Sequence, residues 1–511
     1  MRIGIYNRWL STLGGGERHS LAIAAHLARE HCVEYISHTP VTPSQVTSRS
    51  GFDLGQVDFR AIPLHRPEEL GPIAAGYDLF INASNNDFVP PMAVRNAMLV
   101  FFPMRPQSRL SWRARRTIAG LVRQFGMQVR AVDGVYGLEE HAGAEAFGLA
   151  DQALFVLPAS PFQPLHVHFS LAPGQPGITG VRIELDGEKL TSVDMRRTNS
   201  YIPVSLSVPP GGERIISIQA VGEVRRQGIL LHMRPMRVQS LRASLYDYVF
   251  NRRWPDAGVR VQNLPPGAFT KIAGSYDLVW ANSVYTQRWI HAYWGLPSTV
   301  LYPPVAVEQF APGNKRPRIL SVGRFFAGNH NKKHLEMIDA FRGLLEDGLV
   351  GWELHLAGGL TPGRQHLEYL EKVRQAAQGM PVYIHTDLPQ PSLLDLYATG
   401  SIYWHAAGFD ESPTRRPEKF EHFGIAVVEA MAAGCAPIVM GQGGVTELIH
   451  HGRDGFLWYT TGDLRTLTRR LARDAQLRSS VAQAAIVSSR RFSEASFDSC
   501  LRDSLDSLLA Q

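Results

Sequence analysis

The sequence predicts an α/β protein of two nucleotide-binding-type units, the first of them interrupted by an antiparallel, β-rich insert. Three observations predict it. The chain opens with a strand, a glycine loop and a helix. From about residue 130 the apolar residues switch to two-residue alternation broken by Gly/Pro turns. Strand–helix alternation then resumes near residue 276 and starts afresh near 317. At 511 residues the chain is too long for one core, and 44% apolar with 19% charged residues is an ordinary globular composition.

Residues 2–6 read as the first strand, 7–16 as a polar Gly-rich loop, and 17–30 as an amphipathic helix with Leu21, Ile23, Ala24 and Leu27 on its apolar side. Further strands are expected at 33–36, 78–82 and 97–101. Residues 108–126 are a basic, helical stretch, suited to anionic lipid or simply solvated. Alternating runs at 165–169, 181–185, 202–208, 215–218 and 229–233, with turns at Asp186-Gly187 and Pro209 to Gly212, predict an antiparallel sandwich. It would bind glycan, mediate assembly or be structural. The first α/β pattern returns at 276–283 and runs into a helix to about Tyr293. Tyr302-Pro303-Pro304 reads as a stiff linker. The second unit has strands at 318–324, 352–357, 381–385, 402–405 and 436–440, with helix over 463–511.

The division that follows is 1–129 and 239–305 for the two parts of an N-terminal α/β domain, with 130–238 as its insert. Residues 306–495 form a C-terminal α/β domain, and 496–511 a terminal helix free to pack back on the N-terminal domain.

Charge and cysteine content narrow the chemistry. Lys and Arg number 52 against 46 Asp and Glu, a net +6 that suits anionic ligands. Three scattered cysteines, Cys32, Cys435 and Cys500, form no CxxC, which argues for a reducing compartment and against zinc. No export-type apolar core opens the chain, and no run approaches the roughly 20 apolar residues that span a bilayer. The expected location is cytoplasmic, with contact at the inner face of the membrane left open. No H-E-x-x-H, G-x-S-x-G, P-loop or D-x-D occurs, so metalloprotease, serine hydrolase and P-loop readings are weak. Nucleic acid is not an expected partner, since the basic residues lack interleaved aromatics.

The most informative stretch is 421–434, Glu-His-Phe-Gly-Ile-Ala-Val-Val-Glu-Ala-Met-Ala-Ala-Gly. Glu421 precedes a glycine turn and Glu429 lies inside an apolar helix, a little over two turns further on, so both carboxylates can face one crevice. Phe423-Gly424 supplies the turn, and the free N–H groups of the new helix can hold a phosphate or ribose oxygen. A charge in so apolar a run needs a polar partner, expected to be a ligand. Arg324 ends a strand, and Lys332 with Lys333 precedes the next helix. Together they would neutralise a phosphate, although alone they read as surface cations. Gly14-Gly15-Gly16-Glu17 is either a phosphate-approaching loop or a flexible turn. Gly443-Gly444 is either a source of amides for a ligand or a helix start.

Taken together these segments resemble the retaining glycosyltransferases of family 4. The resemblance spans about 1–105 and 245–500. It rests on the Gly-Gly-x-Glu loop, Ala281-Asn282-Ser283, Tyr-Pro-Pro, Val322-Gly323-Arg324 with Lys332, Glu-x7-Glu, Gly443-Gly444-x-x-Glu447 and Gly455-Phe456-Leu457. It implies the GT-B fold, two Rossmann-like domains facing a cleft. It also implies metal-independent transfer of a sugar, with retention, from a UDP-, GDP- or ADP-sugar to a lipid-linked or polysaccharide acceptor, with no cofactor. By position, Glu429 would hold the ribose hydroxyls, and Glu421 would lie by the sugar with the Phe423 and Gly424 amides. Arg324 and Lys332, or Lys333 in its place, would neutralise the diphosphate, and Gly15 and Gly16 would approach it. Two departures stand out. Where many members carry a His after a strand, this chain reads Val100-Phe101-Phe102-Pro103 with Phe in that place, and residues 408–420 lengthen the loop before Glu421. The alternative is a non-catalytic glycan- or nucleotide-binding protein on the same scaffold.

Overall fold

A computed structural model describes residues 1–10, 14–65, 67–85, 87–106, 113, 117, 129–141, 144–196, 200–222, 228–239, 267–328, 330–360 and 363–510. The basic stretch expected at 108–126 therefore lies outside the described residues, apart from Arg113 and Thr117. The chain divides into two compact units, Met1–Leu99 with Met104–Leu278, and Val100–Pro103 with Val279–Gln511.

The first unit begins with β1 (Arg2–Tyr6), α1 (Gly15–Leu27), β2 (Cys32–Ser37), α2 (Pro43–Ser50), β3 (Val57–Ala61), α3 (Gly71–Ala74), β4 (Leu79–Asn82) and β5 (Arg95–Val100). These strands are parallel, in the order β5-β4-β1-β2-β3. Counted along the chain the order is 5-4-1-2-3, so the switch point lies between β1 and β4, and the glycine loop leaves β1 there. α1 starts with a one-sided cap, since Gly14 has no side chain to accept: the Gly14 amide donates to Glu17 Oε2 at 2.8 Å.

The insert follows as β6 (Arg130–His141), β7 (Ala144–Leu157), β8 (Leu165–Pro173), β9 (Ile178–Leu185), β10 (Glu188–Asp194), β11 (Ile202–Val208), β12 (Arg214–Gly222) and β13 (Leu231–Gln239). It is an antiparallel sheet in the order β10-β9-β12-β7-β13-β8-β11, with β6 also paired to β7. Its inward side chains make one apolar core, which includes Val167, Phe169, Leu206, Ile218 and Met233. Leu64 joins that core, and its amide donates to Val135 O at 2.5 Å, while the Gly137 amide donates to His38 O at 2.6 Å. The insert is thus fastened to the loops that leave β2 and β3. Gly137 is required there, since a Cβ would lie 2.3 Å from Thr39 Oγ1. α4 (Ala268–Ala273) is the last helix of this unit.

The second unit holds β14 (Leu278–Ala281), α5 (Val284–Trp294) and β15 (Thr299–Val300), then β16 (Arg318–Val322), α6 (His334–Glu346), β17 (Glu353–Gly358), α7 (Arg364–Ala376), β18 (Val382–Thr386), α8 (Gln390–Thr399) and β19 (Ile402–His405). α9 (Ile425–Ala432), β20 (Ala436–Met440), β21 (Phe456–Trp458), α10 (Thr461–Arg473), α11 (Ala475–Ser489) and α12 (Glu494–Leu509) complete it. Six parallel strands, β16 to β21, take the order β18-β17-β16-β19-β20-β21. This is the 3-2-1-4-5-6 order of doubly wound folds, with its switch point between β16 and β19. The central strands are largely buried because helices cover both faces, and β19 and β20 are buried at every position. α12 docks through Trp280, whose Nε1 donates to Ser504 Oγ at 2.8 Å.

Candidate functional site

The switch point of the second unit is where its unusual polar residues gather. Gly323-Arg324 follow directly on β16 and β19 ends in His405, so both deliver side chains at the carboxyl edge of the sheet. Gly358 of β17 makes room, because a Cβ there would lie 2.0 Å from Gly323 O. Arg324 is exposed, stands 5.9 Å from the Phe326 ring and has no carboxylate partner among the described residues. From the following loop Lys332 forms an ion pair with Glu421 Oε2, packed so closely on Gly323 that a Cβ there would lie 2.6 Å from Lys332 Cγ. His405 Nε2 reaches the same carboxylate oxygen at 3.4 Å.

Electrostatics agree with this gathering. Burial works to raise the Glu421 carboxyl, yet Lys332 and then His405 hold it well below the usual carboxylate range. Burial lowers the His405 imidazole, while Glu421 acts to raise it. The His330 imidazole is lowered by burial first and Lys332 next, and Glu421 and Arg324 also act on it. Arg324, Lys332 and Glu421 therefore share one neighbourhood.

The loop that carries Glu421 is fixed by glycines. Gly424 caps α9 with φ 110°, and a Cβ on it would meet Val445 Cγ1 at 2.8 Å. The Gly444 amide donates to Glu421 O at 2.7 Å, and a Cβ on Gly444 would strike His422 O at 1.9 Å. Gly443-Gly444 thus braces the backbone of Glu421-His422. Phe423 is buried against Tyr302 at 5.6 Å and Phe492 at 5.3 Å. No hydrogen bond from the amides of Phe423, Gly424, Ile425 or Ala426 is found among the described residues. Four unpaired N–H groups at a helix start favour negative charge.

Glu429, one face along α9, accepts from the Tyr397 hydroxyl at 2.7 Å. The partner expected to be a ligand is thus supplied first by α8, whose register no spacing within 421–434 could reveal. Burial raises the Tyr403 phenol, and Glu429 and Glu421 both add to it, so the two carboxylates flank Tyr403. The Tyr403 hydroxyl donates to Val322 O at 3.3 Å, at the end of β16. Lys333 goes elsewhere: it precedes α6 in a left-handed conformation, φ 61°, with Nζ 3.6 Å from both Glu411 and Glu336. Glu411 also takes Lys419 at 2.7 Å, so the charged lengthening before Glu421 is closed on itself and on Lys333. Gly15 and Gly16 occupy the first turn of α1 in the first unit.

Three residues were assigned no role in the sequence, although Glu447 and His422 stand inside its quoted motifs. His405 gave no signal, being one imidazole among 19. Glu447 binds the Val284 and Tyr285 amides at 2.9 and 2.6 Å and the Tyr302 hydroxyl at 3.0 Å, which anchors the start of α5. His422 stacks on Phe102, centroids 4.5 Å apart and planes at 18°, and burial pushes its imidazole down to about 3. The place where a His was expected thus presents a phenyl ring to a neutral His from another loop.

Cations, a carboxylate pair and free helix amides thus gather at the switch point of a doubly wound domain. Residues 306–486 match the family described as Glycosyl transferases group 1. Among curated relatives, the chain is 27% identical over 257 residues to the human GDP-Man:Man(3)GlcNAc(2)-PP-Dol alpha-1,2-mannosyltransferase, covering 45% of this chain and 49% of that one. The protein of the same name from Dictyostelium discoideum is 25% identical over 250 residues, 44% of this chain and 46% of that one. The alignments thus span about half the length of these relatives. Among solved structures, Anabaena HepE in complex with UDP-glucose superposes with a TM-score of 0.53 at 12% identity, covering 99% of this chain and 100% of that one. Sucrose-phosphate synthase from Thermosynechococcus elongatus gives 0.51 at 11% identity, covering 100% and 99%. The fold is that of the GT-B glycosyltransferases.

Proposed function

We propose that the protein is a retaining, metal-independent glycosyltransferase of family 4. It moves a hexose from a nucleotide-diphosphate donor to a lipid-linked or polysaccharide acceptor. The observation that carries the reading is the meeting of Arg324, Lys332, Glu421 and the unpaired amides at the start of α9. Breaking a glycosyl–phosphate bond builds negative charge on the diphosphate. Fixed cations and oriented amides stabilise that charge without reorganising, and need no metal to do so. Glu429 is suited to the ribose hydroxyls, with Tyr397 holding its carboxylate in place. Glu421 is suited to the sugar hydroxyls.

The curated relatives named above are mannosyltransferases of lipid-linked glycans, and the HepE structure holds UDP-glucose. Both support a nucleotide-sugar donor, and the former a lipid-linked acceptor. The inner face of the membrane is the fitting place for such an acceptor. No helix among the described residues is long and apolar enough to cross a membrane. The antiparallel insert is read as a sandwich-like module of the N-terminal domain. Phe102 in place of a His favours a second reading, a non-catalytic sugar-nucleotide binder on the same scaffold.

A thermal-shift screen of UDP-, GDP- and ADP-sugars tests the reading. One donor at 100 times its dissociation constant is expected to stabilise the protein by about 2.7 kcal/mol. No shift with any donor would count against both readings, and a shift without turnover would favour the second.

A further inference from the structure

Across β13, β8 and β11 the insert turns one face to its core and the other to solvent. Val167 and Phe169 of β8, Leu206 of β11, and Met233 and Met236 of β13 lie in the core. Side chains alternate along a strand, so the residues between these face away. The pairing sets the outward positions in three rows: Arg234 beside Ser170, Arg237 beside His168 and Ser205, and Gln239 beside His166 and Ser207. A register shift between Arg234 and Arg237 brings both arginines to this face, and both are exposed.

Their lack of counter-charge sets these arginines apart. None of the outward positions is Asp or Glu, and neither arginine forms an ion pair among the described residues. Elsewhere on the same sheet arginines do find carboxylates: Arg214 meets Asp186 at 2.8 Å and Arg130 meets Glu213 at 2.9 Å. Arg234 lies instead over the Tyr201 ring, 4.3 Å from its centroid, which holds the guanidinium flat at one end of the strip.

We propose that this face docks an acidic polysaccharide, a glycan bearing carboxylate, sulfate or phosphate groups. Two unpaired guanidinium groups in neighbouring rows match anionic substituents bidentately. The serine hydroxyls, the Gln239 amide and the imidazoles beside them offer neutral hydrogen bonds to sugar hydroxyls. From Gln239 to Tyr201 the strip runs about 20 Å along the strands, room for several sugar rings. A lipid surface fits less well, because beside the polar side chains these rows present only Pro203, next to Ser170, and no long aliphatic side chain to enter it. A nucleic acid fits less well too, since Arg234 already covers the one aromatic face on which a base would stack.

The test uses the full-length protein, with heparin and polygalacturonate as acidic probes and dextran as the neutral one. Phosphatidylglycerol vesicles and a single-stranded oligonucleotide serve as the competing classes. Wild-type protein is expected to bind both acidic polysaccharides, more weakly as ionic strength rises, and not dextran. The R234A/R237A double variant should bind them roughly tenfold or more weakly at an unchanged melting temperature. The R234K/R237K variant keeps the charge and the fold and should fall between the two. Equal binding by wild type and R234A/R237A would overturn the proposal. So would equal binding of dextran, or arginine-dependent binding of the vesicles or oligonucleotide that exceeds that of both polysaccharides.

Discussion

Lys332 Nζ and Glu421 Oε2 form an ion pair across 89 residues of chain, at the carboxyl edge where β16 and β19 part. A cation suited to a departing phosphate and a carboxylate suited to a sugar therefore neutralise each other, and a donor that engages either one competes with that pairing. Glu421→Gln keeps the shape but releases Lys332 and removes an acceptor for the sugar. Turnover is expected to fall by about 10²-fold or more, the scale seen when one electrostatic stabiliser is removed. Steady-state kinetics with the identified donor checks this, and a variant within a few-fold of wild type would remove Glu421 from the reaction.

Glu429 and Tyr397 make a different pair, with the hydroxyl donating to the carboxylate at 2.7 Å. Glu429→Ala should abolish measurable donor binding and leave the Tyr397 hydroxyl buried without its acceptor. A loss of about 1–3 kcal/mol in stability is expected from that orphaned group. Tyr397→Phe removes only the orienting donor and should weaken binding by a smaller factor. Calorimetric titration of both variants decides it. Unchanged affinity in Glu429→Ala would separate this carboxylate from the nucleotide.

Gly424 has φ 110°, and a Cβ there would meet Val445 at 2.8 Å. Gly424→Ala adds left-handed strain to a clash and should lower stability by about 1–3 kcal/mol. Because Gly424 aims the α9 amides, donor affinity should fall as well. Chemical denaturation with parallel donor titration tests both halves. A variant as stable and as tight-binding as wild type would show that the turn is not required.

Much of this was readable from the chain, for reasons visible in particular residues. The Gly-x-x-Glu start of α1, the β19 and β20 strands and the helix after Gly424 are local patterns, and they form within a residue or two of expectation. β3 and β10 escaped because Val-Asp-Phe-Arg-Ala and Glu-Lys-Leu-Thr-Ser-Val-Asp are short and polar, and are held as strands by β2 and β9. The partners of the site residues could not be read at all. That Lys332 meets Glu421 while Lys333 meets Glu411 depends on the left-handed turn at Lys333, which throws adjacent lysines apart. That Gly443-Gly444 braces the Glu421 loop depends on β20 lying beside β19.

His19, His38 and His334 are almost wholly buried, and burial pushes each imidazole down to about 3. Each titrates near 6.5 when unfolded. Since the folded value is the lower one, the unfolded chain takes up protons first on acidification. Stability from these groups is complete above about pH 7 and declines as pH falls below about 6.5, by up to about 1.4 kcal/mol per pH unit for each histidine. Melting temperature should therefore drop between pH 6.5 and 5, before most carboxylates titrate. A flat profile over that window would contradict the burial of these rings.

The measurement that bears most directly on the central claim is the release of nucleoside diphosphate from UDP-, GDP- and ADP-sugars in the presence of EDTA, by wild type and by Lys332→Ala. The account predicts that wild type releases one diphosphate at a rate EDTA does not change, and that Lys332→Ala slows it by about 10²-fold or more. Release that stops in EDTA, or that is the same in Lys332→Ala, would contradict it.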